Sequence, residues 1–277
     1  MRILLSFTFA ISFCAFSAPE EANLSVITAA QNKENPVTEV IKADRKSTKL
    51  LAQAFAFSHL ALDQLADNVY QFTSYKVVEP WGRVGGKGLV VINGNDAHLI
   101  DTPWTQQATQ EMLDWLAANH LNLRTAIITH YHDDASGGVA LLNQNGVATY
   151  ATSLTNALLA EHDKPTTTKL LATDNKAILD NMGEYYYAGK GHTLDNIVVW
   201  LAEEKILFGG CLVKSLVSKS LGNIADANIS EWPKTMMKLE QRYKGAEIVV
   251  PGHGSNGGIE LLDHTKRLAN AKNELRK

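Results

Sequence analysis

The chain has 277 residues, 45% of them hydrophobic and 20% charged, with only 7 prolines. That is enough apolar material for one large buried core, which excludes a chain disordered throughout. A formal net charge of -3 provides no broad basic field, so nucleic acid is excluded as an expected partner and a small molecule is favoured.

Met1 to Ser17 carries Arg2, an apolar run from Ile3 to Phe16, and Ala15 and Ser17 at the minus three and minus one positions of a cut. This reads as a signal peptide of residues 1–17, with export to the periplasm. The run is shorter than the roughly 20 residues that span a bilayer, so no stable membrane association is expected. Phe13 is too bulky to precede a lipidated Cys14. Cleavage removes Cys14 and leaves Cys211 as the only cysteine. A lone thiol in an oxidising compartment is a liability unless it is buried or bound.

Residues 18–58 are polar and mixed and are read as an N-terminal extension, with a helix-compatible stretch from Thr38 to Phe57. Residues 59–277 form the globular domain. Strands are expected at Asn68–Thr73, Gly88–Ile92 and Ala97–Asp101. Gly85, Gly86 and Gly88 precede a strand instead of joining strand to helix, so they fail as a phosphate loop and are expected to shape a hairpin. Ala108, Met112, Trp115 and Leu116 recur at helical spacing within Thr105–His120. A buried strand Arg124–Thr129 and a helix Ser136–Leu142 follow. The alternation continues through Val147–Ala151, Leu154–Glu161, Asn196–Ala202 and Lys205–Phe208. The helix Ser230–Tyr243, the strand Ala246–Val250 and a closing helix from Gly258 end the chain. Two halves of strands followed by helices suggest an α/β sandwich of sheets covered by helices.

The strongest local signal is the run Thr129-His130-Tyr131-His132-Asp133-Asp134-Ala135-Ser136-Gly137-Gly138, where an apolar strand gives way to a helix. In extended backbone His130 and His132 share one side, and the turn after them brings Asp134 toward the same point. Zinc favours such donors. A plainer alternative is that these residues only cap the helix. Three further ligand residues sit in glycine-flanked turns beside apolar strands: Gly191-His192-Thr193, Gly209-Gly210-Cys211 and Pro251-Gly252-His253-Gly254. Strand-end turns are where α/β folds place their sites, and the recurrence favours a metal centre.

On these motifs the chain resembles the metallo-β-lactamase superfamily over roughly Leu60 to Leu268, and within it subclass B1. Asp195-Asn196 after the Gly-His-Thr, the run Ile206 to Cys211, and Gly222-Asn223-Ile224-Ala225-Asp226-Ala227-Asn228 extend the match. Leu99 to Trp104 and Glu231 to Lys234 look most like the imipenemase-type members. The resemblance implies a four-layer αβ/βα sandwich, binding two zinc ions per chain. Related glyoxalases, lactonases and nucleases place a histidine after the motif aspartate, where this chain has Ala135. Subclass B2 has asparagine where this chain has His130. Both departures point to B1.

Position by position, the resemblance implies that His130, His132 and His192 hold one zinc and Asp134, Cys211 and His253 the other. Asp134 would orient the attacking water and Lys214 would bind the substrate carboxylate. Asn223 would donate to the lactam carbonyl oxygen, though after Gly222 it is equally a turn residue. Phe72 to Gly88 would form a flap with Trp81 as its apolar contact, and Asp101 a carboxylate supporting a ligand. The orientation of Asp133 is not fixed by sequence. The implied activity is hydrolysis of penicillins, cephalosporins and carbapenems by a monomer, with monobactams poor substrates. The alternatives are a thioester or lactone hydrolase of the same fold, or an exported zinc-binding protein without catalysis.

Overall fold

The computed structural model describes residues 59–173 and 177–276. The expected signal peptide, extension and Thr38–Phe57 helix lie outside the described residues. Twelve strands among the described residues fall in two sheets. The first contains β1 (Leu60–Ala66), β2 (Val69–Val78), β3 (Gly82–Asn93), β4 (Asp96–Ile100), β5 (Asn122–Ile127), β6 (Ala148–Ala151) and β7 (Lys169–Leu170), paired in that order. Its first four strands are antiparallel and its last four run parallel. The second pairs β12 (Ile248–Pro251), β11 (Ile206–Gly210), β10 (Val198–Leu201), β9 (Gly183–Tyr186) and β8 (Ala177–Ile178), with only β11 and β12 parallel.

Alternation along the strands builds the layers, because successive side chains point to opposite faces. Leu89, Val91, Ile100, Val199, Leu201, Phe208 and Val250 form one cluster between the sheets. Val90 and Leu99, one residue out of phase, join Met112, Trp115 and Leu116. Those three lie on one face of α1 (Gln106–Ala118), whose first turn is capped by the Thr105 hydroxyl accepting from the Ala108 amide at 3.1 Å. Likewise Val198 and Leu207 face α5 (Trp232–Arg242) and α6 (Glu260–Glu274) through Trp232, Met236, Leu239, Leu261 and Leu262. The result is helix, sheet, sheet, helix: the expected αβ/βα sandwich.

Four local differences from the sequence reading have physical causes. Strand β1 was not anticipated, because Leu-Ala-Leu-Asp-Gln-Leu-Ala lacks β-branched residues and is held by pairing along β2. The hairpin of β2 and β3 extends past the expected Thr73, with Val78 opposite Gly82. Its turn is at 79–81, so Gly85, Gly86 and Gly88 lie inside β3. A Cβ on Gly86 would stand 3.1 Å from Trp104 and 3.3 Å from Asp134, so a bare backbone there leaves room for both. Finally, the helix expected at Ser136–Leu142 is two short ones, α2 (Asp133–Ser136) and α3 (Val139–Gln144). Between them a Cβ at Gly137 would lie 2.1 Å from the Trp104 carbonyl. The remaining helix, α4 (Ser153–Glu161), follows β6.

Candidate metal centre

The parallel strands β4, β5, β11 and β12 end on the same edge of the sandwich, and the chain turns at each end into a polar residue. Asp101 follows β4, His130 lies three residues past β5, Cys211 follows β11, and His253 lies two past β12. His192 comes from the loop before β10. All six sequence-predicted ligands are thereby brought together. The imidazoles of His130, His132 and His192 lie 4.9 to 5.2 Å apart by ring centroid, and each pair meets edge-on. One nitrogen from each falls within 4.8 Å of the others, as do donor atoms of His130, Asp134 and Cys211. His253 completes the second group, its Nε2 3.0 Å from Asp134 Oδ2 and 3.4 Å from Cys211 Sγ. Asp134 Oδ2 is also 2.9 Å from that sulfur.

Neighbouring acceptors fix which ring nitrogens face inward. Gly85 O can only accept, so His253 Nδ1–H donates to it at 2.7 Å and leaves Nε2 bare toward Asp134 and Cys211. Asp226 Oδ2, 2.9 Å from His132 Nε2, likewise leaves His132 Nδ1 facing His192 Nε2 at 3.0 Å. The Thr129 hydroxyl donates to Asp101 Oδ2 at 2.8 Å and so is free to accept from His130 Nδ1 at 3.2 Å. His130 Nε2 is then buried without a hydrogen-bond partner. Histidine ligands are typically oriented in this way by a second acceptor. Asp101 thus supports His130 through Thr129, from a left-handed backbone at φ 61°.

Burial sets the electrostatics. Burial pushes the Asp134 carboxyl up, but the His130 and His253 rings beside it outweigh that and hold it well below its ordinary range. Burial and then Asp134 push the Cys211 thiol well above its usual value. Burial lowers His192 far below an ordinary histidine, with the Lys214 charge acting the same way. Burial also raises Asp101 to about 7, against the pull of His130. Imidazoles with a ring nitrogen turned inward, a buried carboxylate and a thiol needing a cation to ionise are a donor set that fits zinc. The capping alternative does not hold, since His132 at the start of α2 makes no side-chain cap bond.

The cluster opens into a cleft of about 720 Å³ whose walls include Trp81, Trp104, Lys214, Asn223 and His253. Trp81 is 58% exposed at the flap's turn. Asn223 Oδ1 accepts from the Ala225 amide at 3.1 Å, the turn geometry considered for it, and its amide nitrogen remains available to donate. Asp133, on the cleft wall, pairs with Lys164 at 2.8 Å and Lys76 at 3.6 Å. Sequence reasoning gave no role to Asp226 or Thr129. Asp226 lies in a polar loop remote from His132, and only the Gly222–Asn228 resemblance drew attention to its surroundings.

An αβ/βα sandwich with histidine, aspartate and cysteine donors gathered at one edge defines a metal-dependent hydrolase. Residues 82–253 match the model of the Metallo-beta-lactamase superfamily. The chain belongs to that superfamily, and its relatives place it in subclass B1. It is 41% identical over 213 residues to the Bacteroides fragilis "Metallo-beta-lactamase type 2", covering 76% of this chain and 86% of that one. The Pseudomonas aeruginosa protein of the same description is 38% identical over 216 residues, covering 78% and 87%. The crystal structure of VMB-1 at pH 5.5 superposes with a TM-score of 0.77 at 52% identity, covering 79% of this chain and all of that one.

Proposed function

We propose that the chain is an exported monomeric zinc β-lactamase that hydrolyses penicillins, cephalosporins and carbapenems and so confers resistance to them. The observation that carries this reading is Cys211, which stands beside Asp134 and His253 while Ala135 leaves the motif without its usual further histidine. His130, His132 and His192 would hold one ion, and Asp134, Cys211 and His253 the other. Zinc, when bound, acidifies water to a pKa of about 7 and so supplies a nucleophile at neutral pH.

The chain's own residues supply the rest. Asp134 Oδ1 faces His130 Nε2 at 3.5 Å and would orient water between the two groups of ligands. Lys214, buried to 8% exposure at the cleft wall, would receive the substrate carboxylate. Asn223 would donate its amide to the carbonyl oxygen as charge grows there, and Trp81 would cover the apolar side of the substrate. The finer kinship with imipenemase-type members rests on Leu99 to Trp104 and Glu231 to Lys234. Among the described residues no helix is long and apolar enough to cross a membrane. Export rests on residues 1–17.

Purified protein assayed on a penicillin, a cephalosporin, a carbapenem and a monobactam tests the spectrum. Hydrolysis of the first three with little of the fourth is expected. Activity on thioesters or lactones without lactam hydrolysis would favour the other enzyme reading, and bound zinc with no hydrolysis the non-catalytic one.

A further inference from the structure

Lys214 is tied down at its backbone, where its amide donates to Thr265 Oγ1 at 2.8 Å. Among the described residues no carboxylate lies within ion-pair distance of its ammonium. Instead Nζ sits 5.4 Å from the centroid of the Trp232 ring. His192 is a second neighbour of that indole, 6.1 Å away between centroids and tilted by 55°. Trp232 has no exposed surface, and its Nε1–H donates to the Leu212 carbonyl at 2.9 Å, which fixes the ring plane. A Cβ on Gly191 would stand 2.3 Å from Leu212 and 3.1 Å from Trp232, so glycine there admits the ring beneath His192. The same helix start holds the His192 loop by its backbone, with Asn228 N donating to Gly191 O at 2.8 Å and Thr235 Oγ1 to Lys190 O at 2.6 Å.

We infer that Trp232 is a positioning residue for recognition of the substrate carboxylate. Its ring face steers the Lys214 ammonium while its body supports His192, so one rigid side chain sets the spacing between the carboxylate anchor and the first group of metal ligands. The inference rests on the β-lactamase reading above. Lysine is a flexible point charge, and an aromatic face attracts that charge without neutralising it. A carboxylate in place of the ring would instead compete with the substrate for the ammonium.

The test compares kcat/KM on a cephalosporin and on its methyl ester, which lacks the anionic group. In Trp232→Leu the ratio of acid to ester should fall about tenfold, corresponding to about 1.4 kcal/mol of lost carboxylate recognition as the ammonium loses its fixed position. Trp232→Phe, which keeps a ring face, should restore most of the ratio. A ring-fluorinated tryptophan at position 232 retains the shape and weakens the face, so it should lower the ratio even if the leucine variant folds poorly. Equal losses on acid and ester in Trp232→Leu, or a ratio indifferent to fluorination, overturn the assignment. Wild-type protein that hydrolyses neither compound overturns the β-lactamase reading itself.

Discussion

At the scale of single residues, the centre is governed by what surrounds each donor atom. Cys211 is 5% exposed, and burial with Asp134 beside it disfavours the thiolate in the metal-free chain. Coordination reverses that balance. Cys211→Ser replaces a soft thiolate with a hydroxyl, so the second ion should bind weakly. Zinc counted per chain should drop toward one, with turnover reduced at least about tenfold, since altering even a supporting group costs 10–100-fold. Unchanged zinc content and rate would reject the ligand assignment. Lys87 on β3 is another buried charge, its ammonium 2.8 Å from Asn256 Oδ1 and its pKa lowered to about 8 by burial from an ordinary 10.5. Below about 8 the amine is charged in folded and unfolded states alike, and the folded state bears the full desolvation cost. Between about 8 and 10.5 the unfolded chain binds more protons, so this residue makes stability rise with pH. Lys87→Met should therefore raise the melting temperature at pH 7, and by less at pH 10. A gain that grows with pH would contradict the sign.

At the scale of elements, the flap hairpin of β2 and β3 leaves Val77 68% exposed and Trp81 58% exposed at the mouth of the cleft. Trp81→Ala should raise KM several-fold for lactams with large apolar side chains while leaving zinc content unchanged; unaltered KM across such substrates would remove its contact role. The resemblance marked Phe72 to Gly88 as the flap, but its paired strands were not legible from periodicity, because Lys76 to Val84 is a mixed stretch that extends through the register of Tyr75 with Gly85 and Val78 with Gly82. Strand β1 was hidden for the same reason, and the two-residue strands β7 and β8 are too short to carry a period. Elements whose own periodicity matched their burial, such as α1 with Met112, Trp115 and Leu116 inward, were legible. At the site, the six donors were legible because each stands in a short motif beside an apolar strand. Asp226 and Trp232 act through space on residues 94 and 40 positions away, and no local pattern encodes such contacts.

At the scale of the molecule, donors from the first sheet's strand ends, His130, His132 and Asp134, meet donors from the second sheet's half, His192, Cys211 and His253. Metal held by these donors would therefore link the two sheets, and its binding free energy would add to folding stability. At zinc a hundredfold above its dissociation constant each site contributes about 2.7 kcal/mol, so chelation of both ions should lower the melting temperature by about 10–20 °C for a domain of this size. A melting temperature indifferent to chelator would show that the donors hold no ion. On the proposed function these six residues form a two-zinc lactam hydrolase. The most direct measurement titrates zinc into the metal-free protein while following hydrolysis of a chromogenic cephalosporin. Hydrolysis should be absent at the start, rise with added zinc and reach its plateau at two ions per chain. Hydrolysis that survives complete removal of metal, or two bound ions with no hydrolysis, would contradict it.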